Sequence, residues 1–404
     1  MVWVWNHDSN AAVGRGVGFS MMRRAVPLVL LLVGIVMADR AEAIGNIHMG
    51  KLEIDPYVSV KEIWTDNVYF TPTDELRDRI TRLVPGVKLL FPFGMHSIEA
   101  EYYGVSDRYN TYRGEDTTDQ FGRGVVDLAF GSNFGLMISD WYRKDHEGRG
   151  ESATGFIEVY RANTPKASAF YQLAGRSKVQ VDYSRTSFNF MISNFRDRDE
   201  ELVAGYLYYR FFSKTSVFIE YDHQSADYTY PQYSPGGIPL DNTEDSALIG
   251  ITWEATAKSK GTIKAGRTKK DFESDTLRDL TMWSWYIDID HHFSDLTHLK
   301  LRGMREPNEA KLSGTSYYIT TGVGADFSHR MLSKTDLLLE ASYGTDDFSN
   351  ARKDKTSLLG GGLKYWVKDW FDIAVEYRER KRDSNVDSAD YTEHRYLVSA
   401  EMMF

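Results

Sequence analysis

The chain has 404 residues, with 48 Lys plus Arg against 58 Asp plus Glu, a net charge of −10, and no cysteine. Apolar residues make up 42% and mean hydropathy is −0.44, which excludes a polytopic helical membrane protein with its repeated apolar runs of about 20 residues. The acidic balance argues against nucleic acid as a partner, and the missing cysteines exclude disulfides, thiolate metal sites, a Cys nucleophile and a lipoprotein anchor.

The N-terminal segment reads as an export signal. Arg23 and Arg24 precede the apolar run Ala25–Ala38, and Ala41-Glu42-Ala43 supplies an A-x-A cleavage site at Ala41 and Ala43. Met21 or Met22 begins a normal signal, so residues 1–43 are expected to be an N-terminal extension plus a cleaved signal peptide. Residues 44–404 are then expected to form a single outer-membrane β-barrel domain.

From about Lys51 onward the pattern has period two. Val203, Gly205, Leu207, Tyr209 and Phe211 share one face, while Ala204, Tyr206, Tyr208 and Arg210 share the other. Val217, Ile219 and Tyr221 oppose Glu220, Asp222 and Gln224; Ile287 and Ile289 oppose Asp288 and Asp290; Leu299 and Leu301 oppose Lys300 and Arg302. Tight turns are expected near 91–95, 132–133, 175–178, 213–215, 257–260, 294–297, 329–334 and 367–370. Longer polar segments separate these hairpins, at 66–79, 110–119, 144–153, 189–199, 229–244, 273–279, 307–313, 345–355 and 383–389.

Short turns at one end and long loops at the other are the signature of a Gram-negative outer-membrane barrel. The hairpins, plus one strand at each end, predict an all-β, antiparallel transmembrane barrel of about 18 strands, or 16 if one end pair lies outside the wall. The segment 154–174 counts as one strand despite Pro165. A soluble sandwich would have strands of about 5–6 residues; these are long enough for the ~9–11 tilted residues that cross an outer membrane. Phe91, Phe93, Phe211, Phe212, Trp283, Trp285, Trp366, Trp370 and Phe371 fall near strand ends, where interfacial aromatic girdles are expected.

The last strand alternates Tyr396, Val398, Ala400, Met402 and Phe404 with Arg395, Leu397, Ser399, Glu401 and Met403. Apolar alternation ending in a terminal Phe resembles the signal read by the barrel assembly machinery, which is therefore an expected partner alongside the outer-membrane lipid bilayer.

With apolar faces toward lipid, the other faces line the interior. The pore-lining candidates are Lys88, Glu99, Glu101, Arg123, Asp127, Asp182, Arg210, Glu220, Asp222, Glu254, Lys264, Asp288, Asp290, Lys300, Arg302, Asp326, Glu340, Lys364, Glu376 and Arg378. Opposite signs are interleaved, with Tyr103, Tyr206, Tyr208, Tyr286 and Tyr318 among them. Two readings stand: a wall cross-linked by mutual neutralisation, or a wet conduit for a hydrated, weakly charged polymer. The irregular segment Tyr228–Asp241, rich in Pro, Gly and Tyr, is the candidate inward-folding loop or sugar-contacting lip.

No catalytic residues and no cofactor are expected, since no nucleophile elbow, HExxH, P-loop or carboxylate pair is present. No metal site is expected either: His291 and His292 are adjacent on a strand and point to opposite faces, and His223 and His394 are isolated. Gly360–Gly362 lies within a strand and reads as a packing or twist site.

Pro56-Tyr57-Val58-Ser59-Val60, then Thr65-Asp66-Asn67-Val68-Tyr69, then Leu83-Val84-Pro85-Gly86-Val87-Lys88-Leu89 open the mature chain. With the Phe404 terminus, this resembles the outer-membrane β-barrel porin family of exopolysaccharide gene clusters, the EpsL-like and VpsM-like proteins. The resemblance covers the mature chain in layout, and its sharp motifs are at the two ends. It implies an 18-stranded barrel in the terminal export of a secreted polysaccharide, with a periplasmic polysaccharide export protein and the polysaccharide itself as partners. The alternatives are a general or small-solute porin and a plugged structural or adhesive barrel.

Overall fold

The computed structural model describes residues 47–403 except 151, 153, 154, 174, 231–236 and 257. The export signal with Ala41 and Ala43, and the terminal Phe404, lie outside the described residues.

Among the described residues nineteen strands follow in chain order: β1 (Ile47–Met49), β2 (Leu52–Thr65), β3 (Asp78–Phe93), β4 (His96–Tyr109), β5 (Thr117–Phe130), β6 (Phe134–Glu147), β7 (Glu158–Gln172), β8 (Ser177–Phe190), β9 (Arg198–Phe212) and β10 (Thr215–Tyr228). Then come β11 (Asn242–Thr256), β12 (Ser259–Phe272), β13 (Leu280–Ser294), β14 (Thr297–Glu309), β15 (Tyr317–Leu332), β16 (Thr335–Phe348), β17 (Lys353–Lys368), β18 (Phe371–Ser384) and β19 (Tyr391–Met403). Each of β2 to β19 pairs antiparallel with its chain neighbours. β19 returns to β2 along Arg395↔Thr65 to Met403↔Tyr57, so the sheet closes into an 18-stranded barrel without edges. β1 is a short hairpin arm on β2, lying beyond the point where β19 stops.

Several strands run further toward the long-loop end than the sequence expectation, while β7 and β15 begin later than expected, at Glu158 and Tyr317. β6 continues to Glu147, β14 to Glu309 and β16 to Phe348, all inside segments expected as loops. The outer face explains this. On β8 the exposed residues Val181 and Tyr183 give way to Arg185, and on β10 Ile219 and Tyr221 give way to His223. The apolar band therefore ends mid-strand, and the rest of each strand projects past the membrane, where polar residues pair just as well. Along β6 the stretch from Phe134 to Tyr142 matches the ~9–11 tilted residues needed to cross.

Exposed rings mark both borders of the band. Phe91, Phe130, Phe134, Tyr171 and Phe293 lie near the short turns, and Tyr102, Tyr142, Tyr183, Tyr221, Trp283, Tyr343 and Tyr396 lie further up. Trp366 is a correction to the expected girdle. It shares the inner face with Lys364, whose Nζ is 4.5 Å from its ring, and its Nε1 donates to Asp336 at 2.6 Å.

The strand prolines are placed where the ladder is interrupted. β7 is one strand, and its pairing with β8 skips from Asn163↔Ser187 to Lys166↔Ser184, around Pro165. β3–β4 pairing skips from Leu83↔Ser106 to Gly86↔Tyr103 in the same way, around Pro85. Proline has no N–H to give, so each ring faces the gap while the other neighbour keeps its register.

Candidate functional site: the charged inner wall and its mouth

Because side chains alternate, the interleaved charges of the sequence fall together on the inner face of the closed wall. Many meet on neighbouring strands. Glu101 takes a hydrogen bond from Tyr57 Oη at 3.0 Å and lies 3.8 Å from Lys88. Arg123 lies 3.9 Å from Glu99, with its guanidinium 5.0 Å from the Trp141 ring. Asp182 accepts from Lys166, from Ser168 at 2.6 Å and from Gln180 at 3.0 Å. Lys264 Nζ donates to Glu220 at 2.6 Å, Lys364 pairs with Asp372 at 2.9 Å, and Arg302 pairs with Asp326. Arg378 reaches Glu340 at 3.2 Å and Glu376 at 2.9 Å.

Other candidates are placed by register. Asp127 stands opposite Ser97 and Met137, Glu254 opposite Lys260, Asp222 opposite Ala204 and Ser246, and Asp288 opposite Thr262 and Arg302. Lys300 stands between Asp290 and Asp326. Arg210 lies at the short-turn rim and donates to the Gly175 carbonyl at 3.0 Å. Isolated half-exposed ion pairs add only about 0–1 kcal/mol each, so this lattice is better understood as an electrical lining than as the source of the barrel's stability.

The long-loop end is more closely packed, and sequence alternation gave no sign of it. Arg196 holds Glu147 through two bonds of 2.8 Å, with its guanidinium 4.0 Å from the Phe190 ring. Arg198 pairs with Glu200 at 2.7 Å and lies 4.4 Å from Phe188. Glu158 caps the next loop, accepting from Ile192 N–H, Ser193 N–H and Ser193 Oγ at 2.9, 3.1 and 2.7 Å. Glu309 on β14 takes Lys270 of β12, Tyr228 Oη at 2.8 Å and Asn242 Nδ2 at 3.0 Å.

That last contact bypasses β13. Pairing of β13 with β14 stops at Trp285↔Arg305, and the end of β14 leans inward to bring Ala310 against Ala226, Tyr228 and Leu240. Pro307, which cannot serve as a ladder donor, lies in the unpaired stretch. The described ends of the expected lip, Tyr228 and Leu240, belong to this packed cluster, and Asp241 accepts Tyr228 N–H at 2.7 Å; residues 231–236 lie outside the described part.

A different loop spans the mouth. Gly150, between β6 and β7, gives its carbonyl to Arg382 of β18, although β19, β2, β3, β4 and β5 lie between them around the wall. Phe70 packs so closely on Gly150 that a Cβ there would lie 2.8 Å from the Phe70 Cβ, so only glycine fits. Beside this strap is a cleft of about 400 Å³ lined by Tyr69, Arg149, Lys311, Arg352, Asp354 and Arg382, among others. Two loop groups carry shifted acidities. The hydrogen bonds to Glu115 hold the Arg149 guanidinium above its ordinary value. Burial pushes the Asp197 carboxyl up, partly offset by the Phe190 N–H it accepts, with nearby Glu158 adding to the rise.

Of the histidines singled out in the sequence, His223 lies on the outer rim, 2.9 Å from Asp245. His291 and His292 do point to opposite faces, but His292 is paired across the hairpin with His298, a residue the sequence reading passed over. The available signal was hairpin symmetry: His292 and His298 are equally distant from Asp295 in the turn.

A closed antiparallel wall, an apolar belt between aromatic borders and a charged lumen define a porin-like barrel of the Gram-negative outer membrane. Residues 41–404 match the family described as "Putative beta-barrel porin 2", and the chain belongs to that family. No curated protein matches the sequence. Among solved structures, the chain is similar to OccK2 (OpdF) of Pseudomonas aeruginosa at 10% identity, covering 89% of this chain and 100% of that one with a TM-score of 0.49. It is also similar to a BenF-like porin of Pseudomonas fluorescens Pf-5 at 8% identity, covering 87% and 99% with a TM-score of 0.48.

Proposed function

We propose that this barrel is the outer-membrane conduit through which a secreted polysaccharide leaves the cell. The observation that carries the reading is the inner wall, where acids, bases and tyrosines alternate from strand to strand. A hydrated polymer needs many weak polar contacts that are made and released in turn, and a mixed wall offers these without a deep well for either sign. The mouth cleft adds Arg149, Arg352 and Arg382 next to Tyr69 and Phe70, a set suited to hydroxyls, carboxylates and sugar faces. The resemblance of the chain ends to barrels of exopolysaccharide clusters supports the same reading, with a periplasmic export protein docking at the short-turn end. Residues 1–43 supply the export signal in this reading, and the pore-lining candidates form the path.

The strap from Gly150 to Arg382 favours a second reading, a barrel whose mouth is closed at rest and whose loops serve a structural or adhesive role. Secreted polysaccharide in a clean deletion strain, beside a complemented control, separates the two. Loss of surface polymer with repeat units held in the periplasm supports the conduit. Unchanged polymer rejects it and leaves the small-solute porin and the plugged barrel, which single-channel conductance then distinguishes.

A further inference from the structure

At the short-turn end of the β13–β14 hairpin, three potential ligands converge. Asp290 and His292 are two residues apart on β13 and so share its inner face, and His298 stands directly opposite His292 on β14. The two imidazoles stack at 4.3 Å between centroids with planes 16° apart. Both turn Nε2 toward a single carboxylate oxygen: Asp290 Oδ1 is 2.9 Å from His298 and 3.5 Å from His292. One ligand atom from each of the three lies within 4.8 Å of the others.

The backbone holds this arrangement. The ladder slips by one residue between His292 and Ser294, and Ser294 Oγ accepts Leu296 N–H and donates to Thr297 Oγ1, both at 3.2 Å, fixing the turn. Lys260 approaches the other Asp290 oxygen at 3.7 Å, leaving Oδ1 to the imidazoles. The histidine side chains are 45% and 34% exposed, so an ion has a path in.

We propose that Asp290, His292 and His298 form a binding site for a borderline divalent transition-metal ion such as Zn²⁺, Ni²⁺ or Cu²⁺, at the short-turn mouth of the barrel. Two imidazoles and one carboxylate suit these ions, whereas Mg²⁺ and Ca²⁺ prefer all-oxygen shells. Bond lengths of about 2.0–2.2 Å require only that the rings and carboxylate close on a point they already face. Three protein ligands leave the remaining positions to water, so the ion exchanges with the periplasm rather than serving as a folding core. The proposal stands whether or not the barrel conducts a polysaccharide.

The test is calorimetric titration of the detergent-folded, full-length mature barrel with Zn²⁺. The wild type should bind one ion, and His292→Gln or His298→Gln should weaken binding by more than about tenfold, the least that even outer-shell losses commonly cost. His223→Gln, at the opposite rim, should leave it unchanged. Equal affinity in wild type and the double histidine variant, or an equal loss with His223→Gln, would overturn the site. Heat-modifiable migration checks that each variant is folded. The electron paramagnetic resonance spectrum of wild type loaded with Cu²⁺ needs no variant: coupling to two imidazole nitrogens supports the site, and coupling to one or none refutes it.

Discussion

Arg378 on β18 crosses Gly360 on β17 to meet Glu340 on β16 at 3.2 Å. The bridge exists because the intervening strand carries no side chain there. A Cβ on Gly360 would lie 3.0 Å from Arg378 Cγ and 3.4 Å from Glu340 Oε2. The contact is one link in a circumferential row on the inner face that runs Lys260, Asp290, Lys300, Asp326, Glu340, Gly360, Arg378. In that row glycine is the spacer that lets a cation from one side reach an anion on the other.

Gly360→Val should therefore push Arg378 off the wall and into the lumen. The stability loss is expected to stay below about 1 kcal/mol, because the pair is partly solvated, while single-channel conductance falls. Unchanged conductance in planar bilayers would place this row away from the narrowest part of the lumen.

The row also shows what sequence could and could not reveal. Period-two alternation is a property of each strand alone, so it identified Asp290, Lys300, Asp326, Glu340 and Arg378 as one face and gave the strand count. Register belongs to pairs of strands, and no single strand encodes that Arg378 falls beside Gly360 or His298 beside His292. The mouth was hidden for another reason. The Glu309–Lys270 contact depends on β14 leaving β13 above Arg305, a tertiary departure from the very regularity that made the rest readable. Polar composition also fails to mark every strand end, because barrel strands go on pairing in water, as β6 does to Glu147 and β16 to Phe348.

Glu220 and Lys264 form the closest acid–base pair of the β10–β12 wall, at 2.6 Å. Glu220→Gln leaves Lys264 without its carboxylate partner, and adding Asp222→Asn, Asp288→Asn and Asp290→Asn makes that side of the wall net positive. In an open conduit the reversal potential under a salt gradient should shift toward anion selectivity, and Lys264→Gln alone should shift it the other way. No movement in either would mean that these side chains do not line the constriction.

Asp140 is exposed on the outer face between Ile138 and Tyr142, opposite Gly124 and Pro165. It is a carboxylate in the lipid-facing band, just inside its aromatic border. Acidic residues on a barrel's lipid face cost less than the ~2–4 kcal/mol of a midplane Arg or Lys. Asp140→Leu should accordingly raise stability to urea in liposomes by about 1 kcal/mol. A loss of stability would show that this carboxylate has a partner in the membrane.

Asp197 carries the opposite sign to a salt-bridged acid. Burial raises its pKa in the folded state, so the folded chain takes up a proton more readily than the unfolded one. Its destabilising contribution is then present above the folded value and fades as pH falls through it. Asp197→Asn keeps an oxygen for the Phe190 N–H and removes the charge near Glu158. The variant should be more stable than wild type at pH 8, with the gain shrinking on titration toward pH 4. A gain that grows with acid would contradict the assignment.

Arg196 and Glu147 are the clearest case of charges that the mouth cannot spare singly. The side chains are only 6% and 16% exposed, the pair is doubly hydrogen-bonded, and Phe190 covers the guanidinium. Removing one member strands the other in a site with little water, which commonly costs about 3–5 kcal/mol, whereas replacing both with apolar side chains of similar volume is often neutral. Arg196→Ala should lower the temperature at which the barrel loses its compact gel migration, and Glu147→Ala should do the same. Arg196→Met combined with Glu147→Leu should recover most of the loss. If the double variant is instead as unstable as either single one, the pair contributes specific geometry that packing alone does not replace, and the mouth is held together by its charges rather than by its aromatic cover.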